Sequence, residues 1–135
     1  MFNPIATINL KNFRDNIKYI KSLSKSSDIF PVIKANAYGH GYAKIAKILN
    51  QESINTICVA TYDEILEILK EDLNLNILHL GRIVLEKNVI SDKVIYTINS
   101  LDDIENINKI CSEVNKRIRC HIKVDTGMNR MGCKM

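Results

Sequence analysis

An α/β fold built on a parallel sheet is the fold class that this 135-residue sequence predicts. Three observations point there. Short apolar runs recur at "IFPVIK", "NTICVA", "NILHLG", "KVIYTI" and "CHIKVD", and stretches with helical period separate them. The alternation repeats every roughly 20–25 residues, a spacing at which strands pair in parallel through right-handed crossovers. The runs are also continuously apolar rather than alternating, as strands are when both faces of their sheet are covered.

The elements follow in order. The opening segment "PIATINL" has strand character, but it precedes the first helix and is expected to join another sheet. Leu10, Phe13, Ile17, Ile20 and Leu23 repeat at helical spacing, and Asn9 is a good N-cap for the helix they describe. Ile45, Ala46 and Leu49 mark a second helix. Ile65, Leu66, Ile68 and Leu69 mark a third, opened by Asp63 and Glu64, where the positive end of the helix dipole favours acids. Between Gly81 and Asp92 the pattern is too short to assign. Leu101, Ile104, Ile107, Cys111 and Val114 mark the last helix, with Ser100 as N-cap and Asp102 and Asp103 in its first turn. Cys58, inside "TICVA", reads as a core residue.

A doubly wound sheet and a (β/α)8 TIM-type barrel both accommodate this order. No GxGxxG follows the first strand, which counts against a dinucleotide-binding sheet. A closed barrel has eight strands and typically about 250 residues. Only about five such strands are visible here, and both architectures stay open on this pattern alone. The chain stops at "GMNRMGCKM", directly after a glycine-containing loop, and is expected to be a piece of something longer.

Composition narrows the function classes. Hydrophobic residues make up 46% and charged residues 25%, so a soluble domain with a real core is expected. The formal net charge is +4, but no Lys/Arg cluster gathers it, which argues against nucleic acid or a membrane surface as partner. No apolar run nears the about 18 residues of a membrane span, and no signal-peptide pattern opens the chain, so secretion is not expected. Four cysteines without a CxxC spacing fit reduced thiols in the cytoplasm. No His/Cys/Asp set has metal-ligand spacing, so no metal is expected.

In parallel α/β architectures chemistry gathers where strands end and loops begin, and two strand ends here are unusually polar. Lys34 closes an apolar run and is followed by Ala35, Asn36, Ala37, Tyr38, Gly39, His40 and Gly41. A charged amine at the end of a buried strand needs a partner, a role or a route to water. Desolvation favours the neutral amine, which makes such a lysine a candidate Schiff-base nucleophile. The competing reading is a lysine whose ammonium simply reaches solvent. Gly39 and Gly41 would let the backbone approach a bulky planar cofactor. The second polar end is "HIKVDTGMNRMG", where Lys123 and Asp125 punctuate a strand and Arg130 follows a glycine turn.

These residues carry a family resemblance. "VIKANAYGHG" resembles the pyridoxal-phosphate lysine motif of the alanine racemases, and "KVDTGMNRMG" resembles that family's second signature, at a fitting distance. The opening "ATINLKNFRDNIKYIK" resembles the family's N-terminal strand and helix, so the likeness covers the whole chain. Two long motifs in the right order make it specific. It implies that residues 1–135 are the N-terminal part, about the first five strands, of a (β/α)8 TIM-type barrel, in an enzyme that interconverts L-alanine and D-alanine on pyridoxal 5'-phosphate and supplies D-alanine for peptidoglycan.

Carried over residue by residue, Lys34 corresponds to the lysine that holds the cofactor covalently and acts as one of two bases at the substrate Cα. Tyr38 matches the tyrosine whose hydroxyl reaches the cofactor phosphate. Arg130 matches the arginine that contacts the phenolic oxygen and helps hold the substrate carboxylate. Lys123 matches a lysine that is carbamylated in many members. A carboxylate there would turn a like-charge Lys/Arg neighbourhood into an opposite-charge pair; unmodified, Lys123 is simply a strand lysine. The family's second base is a tyrosine from a separate C-terminal β domain, supplied by the partner subunit of a head-to-tail homodimer. Later barrel strands supply most phosphate ligands and the arginine facing the pyridine nitrogen. By this resemblance residues 1–135 hold none of these, and the isolated chain is expected to be inactive.

Other residues read as structural. His40 has no assigned chemical role, and His79, within "NILHLG", reads as a hydrogen-bonded core histidine. Asp125 and Asn129 are expected to shape their loop through bonds to the backbone, and Met128 and Met131 to pack. Two alternatives stand beside the racemase. One is a related pyridoxal-phosphate-dependent serine racemase or amino-acid decarboxylase, although the second signature favours a racemase over a decarboxylase. The other is a pyridoxal-phosphate-binding carrier protein of the same fold, which should still close its barrel.

Overall fold

The computed structural model describes residues 4–84 and 90–134. Four strands, β1 (Thr56–Val59), β2 (Asn76–His79), β3 (Val94–Ile98) and β4 (Arg119–Ile122), form one parallel sheet in the order β1-β2-β3-β4. The fifth expected strand, over "IFPVIK", is reduced to an isolated bridge that sets Val32 beside Cys58. The Cys58 N–H donates to the Pro31 carbonyl at 2.8 Å, and the Ile33 N–H to the Cys58 carbonyl at 2.9 Å. Pro31 has no N–H of its own, which keeps this ladder short.

Neighbouring strands are therefore consecutive in sequence from Val32 to β4. A doubly wound sheet reverses its winding at a central strand, whereas this one winds a single way. The fold is α/β, and its winding is that of a partial TIM-type barrel. Right-handed crossovers then send every helix to one face of the sheet. Helices α3 (Tyr42–Gln51), α4 (Tyr62–Leu69) and α5 (Leu101–Glu113) are the crossovers. Between Gly81 and Asp92 the described residues form no helix or strand, and residues 85–89 lie outside the described residues.

The main core lies between these helices and the sheet, where Ile45, Leu49, Ile57, Ile65, Val94 and Tyr96 are buried. The opposite face carries a smaller cluster of Cys58, Leu78 and Ile95. Burial pushes the Cys58 thiol up to about 11, so it packs rather than reacts. The sheet curls toward this second face. In a flat sheet the Val32 strand and β4 would stand about 19 Å apart, four steps of roughly 4.8 Å. Yet the rings of Phe30 and His121 stack with centroids 6.5 Å apart. The second face is therefore concave, an inner face.

Helix α1 (Leu10–Leu23) starts as expected, with the Asn9 side chain accepting the Asn12 N–H at 3.0 Å. Only part of its apolar stripe is used. Leu10, Phe13 and Ile17 pack on the core, while Ile20 and Leu23 stay exposed, because the stripe outruns the surface it covers. Arg14 pairs with Glu52 and donates to the Gln51 side chain at 2.7 Å, tying α1 to the end of α3. The segment "PIATINL", expected to join another sheet, does not join this one. Residues 4–9 are in no sheet, and Ile5 is 90% exposed. A strand exists only through its neighbour's hydrogen bonds, and among the described residues no neighbour reaches this segment.

Candidate active site

Lys34 opens a five-residue segment, α2 (Lys34–Tyr38), that winds with the wrong hand. Ala35, Asn36 and Ala37 have φ of 51°, 54° and 53° with ψ of 51°, 45° and 46°, and Tyr38 follows at φ 52°. Left-handed angles cost an L-residue about 1–2 kcal/mol each, so four in a row store about 4–8 kcal/mol. Such strain persists only where the surroundings over-determine the backbone, and it concentrates at functional sites.

Here the surroundings are explicit. The Ala37 N–H donates to the Ile33 carbonyl at 2.8 Å and the Gly41 N–H to the Asn36 carbonyl at 2.9 Å. The Asn36 side chain accepts the Tyr42 N–H at 2.9 Å, joining the segment to the start of α3. His40 is structural: its Nδ1 lies 2.9 Å from the Ala37 carbonyl. Ala37 is itself buried in the core.

The strongest restraint comes from a residue that sequence reasoning read only as a helix-dipole acid. Glu64 Oε1 accepts the Ala35 N–H at 2.6 Å, while Oε2 accepts the N–H groups of Ala60 and Thr61 at 2.8 and 3.1 Å. The Thr61 hydroxyl accepts the Glu64 N–H in return, completing a capping box on α4. Burial works to raise the Glu64 carboxyl, but the bonds from Ala60, Ala35 and Thr61 outweigh it and hold it below the usual range. The Thr61-x-x-Glu64 pattern was the available signal; its reach to Ala35 was not.

The second polar end follows β4. Lys123 extends the ladder by one bond, its N–H donating to the Ile98 carbonyl at 2.9 Å. The chain then loops and returns, with Val124 bridged to Cys133. Asp125 Oδ1 accepts the N–H groups of Gly127 and Asn129, both at 3.0 Å, as expected of a loop-shaping pair. The Asn129, Gly127 and Met128 N–H groups, then Lys123, hold the Asp125 carboxyl below its ordinary value. Gly132 is required by close approach as well as by its φ of 116°: a Cβ there would stand 2.9 Å from the Asp125 nitrogen. Arg130 is exposed at the tip. Met128 is 73% exposed and does not pack as expected, because the loop presents it outward.

Parallel strands put both ends on the same rim of the sheet. Strand alternation puts Lys123 on the side of His121, which is the inner face, and Lys34 follows directly on Ile33, where the backbone leaves the extended form at φ −118° and ψ 22°. Lys34 is half-buried and Tyr38 exposed. Among the described residues, the side chains of Lys34, Tyr38, Lys123 and Arg130 make no hydrogen bond or ion pair with one another or with any other group. The fold thus shares them out over one rim without joining them directly. Their chemistry is coherent: an amine that can condense with an aldehyde, and a phenol and a guanidinium that can bind oxyanions. That donor set fits a phosphorylated aldehyde cofactor.

Comparison with known proteins agrees. Residues 8–135 match the family model described as alanine racemase, N-terminal domain. Alanine racemases of Streptococcus uberis and Methanococcus maripaludis are each 35% identical over 134 residues, covering 96% of this chain and 36% of theirs. Among solved structures, alanine racemase of Clostridium difficile 630 superposes with a TM-score of 0.88 at 37% identity, over 94% of this chain and 34% of that one. Alanine racemase from Bartonella henselae with covalently bound pyridoxal phosphate gives 0.82 at 33% identity, over 96% and 37%. The chain spans about a third of the length of the curated relatives it matches.

Proposed function

The chain belongs to the alanine racemase N-terminal domain family, and from that premise we propose that it is the lysine-bearing part of a pyridoxal-phosphate-dependent racemase interconverting L-alanine and D-alanine. The observation that carries the reading is the common rim: two motifs, nearly ninety residues apart in sequence, end parallel strands on the same edge of one curled sheet. In this reading residues 1–135 would be the N-terminal part of a barrel, with a C-terminal β domain elsewhere in the complete protein.

When bound, pyridoxal 5'-phosphate supplies an electron sink for the charge left on the substrate Cα. Lys34 would hold the cofactor covalently through its amine and move the Cα proton on one face. Tyr38 would donate its hydroxyl to the phosphate. Arg130 would bind the phenolic oxygen and orient the substrate carboxylate, a task suited to the fixed fork of guanidinium donors. Carbamylation of Lys123 would give Arg130 an opposite charge to lean on. The base for the other face would come from the partner subunit of a homodimer. Free thiols at Cys58, Cys111, Cys120 and Cys133 suit a cytoplasmic enzyme making D-alanine for peptidoglycan. No helix among the described residues is long and apolar enough to cross a membrane.

The test is direct. The protein is incubated with pyridoxal phosphate, reduced with borohydride, and digested for peptide mapping. Label on Lys34 is the expected result, and label confined to any other lysine overturns the assignment.

A further inference from the structure

We propose that Glu64 is a positioning residue for Lys34: its carboxylate locks the peptide that follows Lys34, and with it the direction in which the lysine side chain leaves the backbone. This rests on the reading that Lys34 carries the cofactor.

The Ala35 N–H belongs to the peptide joining Lys34 to Ala35, so its orientation is the ψ angle of Lys34. Fixing that N–H fixes the lysine backbone. Among the described residues, Glu64 is the one side chain that accepts a backbone N–H from the left-handed segment. It does so at 2.6 Å with a charged acceptor, the stronger class of hydrogen bond. The anchor is firm at its other end. Oε2 holds the Ala60 and Thr61 N–H groups where β1 passes into α4, so one carboxylate joins two adjacent strand ends.

Capping alone does not explain this arrangement. Helix α5 is capped by a related device: Ser100 accepts the Asp103 N–H at 3.2 Å, and Asp103 accepts the Asn99 N–H, one residue before the cap, at 2.7 Å. That aspartate serves its own helix and no neighbouring strand end. Glu64 has one methylene more and a second oxygen to spare, and it spends neither on α4. Both go to Ala35, 29 residues away. A carboxylate is needed, because a glutamine side chain has a single acceptor oxygen and cannot hold Ala35 and the α4 cap together.

The experiment compares the unaltered protein with Glu64→Gln, Glu64→Asp and Thr61→Ala. Thr61→Ala removes the other half of the same capping box and leaves the Ala35 bond intact, so it reports the purely structural loss. Two readouts are taken: the rate of borohydride-trapped pyridoxal phosphate at Lys34, and amide hydrogen exchange at Ala35. Ala35 is solvent-exposed, so protection of its amide reports the Glu64 bond. Both Glu64 variants should slow trapping at Lys34 and speed Ala35 exchange by about tenfold or more, the usual worth of a bond to a charged group. Thr61→Ala should change both by less than about twofold, even where it lowers thermal stability equally. Equal behaviour of Glu64→Gln and Thr61→Ala, with the label still on Lys34, overturns the positioning role and leaves the cofactor assignment standing. Label on another lysine in the unaltered protein overturns the cofactor assignment and the positioning role with it. Should Glu64→Gln fail to fold, Glu64→Asp decides, since it keeps the charge in the first turn of α4 and lacks the reach to Ala35.

Discussion

Replacing Ala35 by glycine should stabilise this protein, against the usual effect of putting glycine into a helical segment. Ala35 sits at φ 51° and ψ 51° and is exposed, so its methyl contributes strain and little packing. Removing the Cβ relieves about 1–2 kcal/mol of left-handed strain. The unfolded chain gains freedom worth about 0.4–1 kcal/mol in the other direction. The net expectation is a gain of about 0.5–1 kcal/mol, or roughly 2–4 °C in Tm for a domain of this size. The Ala35 N–H is kept, so the Glu64 bond survives the change. Ala43, eight positions on and inside the right-handed α3, provides the control. There the same substitution should cost about 1 kcal/mol. Thermal and urea melts of both variants, with the urea slope unchanged, measure the two signs. A fall in Tm for Ala35→Gly comparable to that of Ala43→Gly would refute the left-handed backbone and all that is built on it.

Three further outcomes are expected. Gly132→Ala should destabilise by about 2 kcal/mol or more, since its Cβ would meet the Asp125 nitrogen at 2.9 Å on a backbone with φ of 116°; an unchanged Tm would show that the loop after β4 yields freely. Burial holds the His79 imidazole below its ordinary value, with Nε2 against the Ala60 carbonyl at 3.1 Å, Nδ1 without a hydrogen-bond partner among the described residues, and Glu64 the facing charge that pulls the other way. The unfolded state therefore binds the proton first, and stability should be level above about pH 6.5 and fall as pH drops from there toward the folded value. A ring titration midpoint at or above about 6.5 contradicts this. Under the proposed function, Lys123→Ala in the complete protein should lower racemase activity and be partly rescued by short carboxylic acids; equal activity with and without added acid removes the carbamate from the scheme.

The parts of this fold that could be read from sequence are those fixed locally. Asn9 and Ser100 were legible as caps because a cap is a matter of one residue and the turn after it. The strand order was not, since nothing within "NILHLG" or "KVIYTI" says which strand lies beside it; the resemblance of the two motifs chose the barrel over the doubly wound sheet, and the pairing bears it out. "PIATINL" has strand composition and was expected to join another sheet; among the described residues it has no partner strand. The four site residues could be named by resemblance, yet the backbone beneath Lys34 could not be foreseen. Two alanines around Asn36 favour a right-handed helix, and only Gly39 and Gly41 hinted at the other hand. The Glu64 bond to Ala35 is tertiary, and no local pattern announces it.

The site thus separates into what these residues settle and what they leave open. Backbone geometry at Lys34 is settled here, by Glu64, Asn36, His40 and the burial of Ala37. Burial of the Lys34 amine is not. Among the described residues the inner face holds a small cluster around Cys58, Leu78 and Ile95, with Phe30 and Val32 about 40% exposed beside it. All four residues of β4 are exposed, whereas those of β1 and β3 are fully buried. A barrel interior becomes dry only when strands surround it on every side. Desolvation sharpens the reactivity of a lysine, and in this architecture that burial depends on the remaining wall. Direction is set within residues 1–135 by a tertiary contact, and dryness is a property of the closed assembly. Substitutions at Glu64 and at the β4 edge should accordingly separate: the first changes how Lys34 is aimed, the second how deeply it is buried.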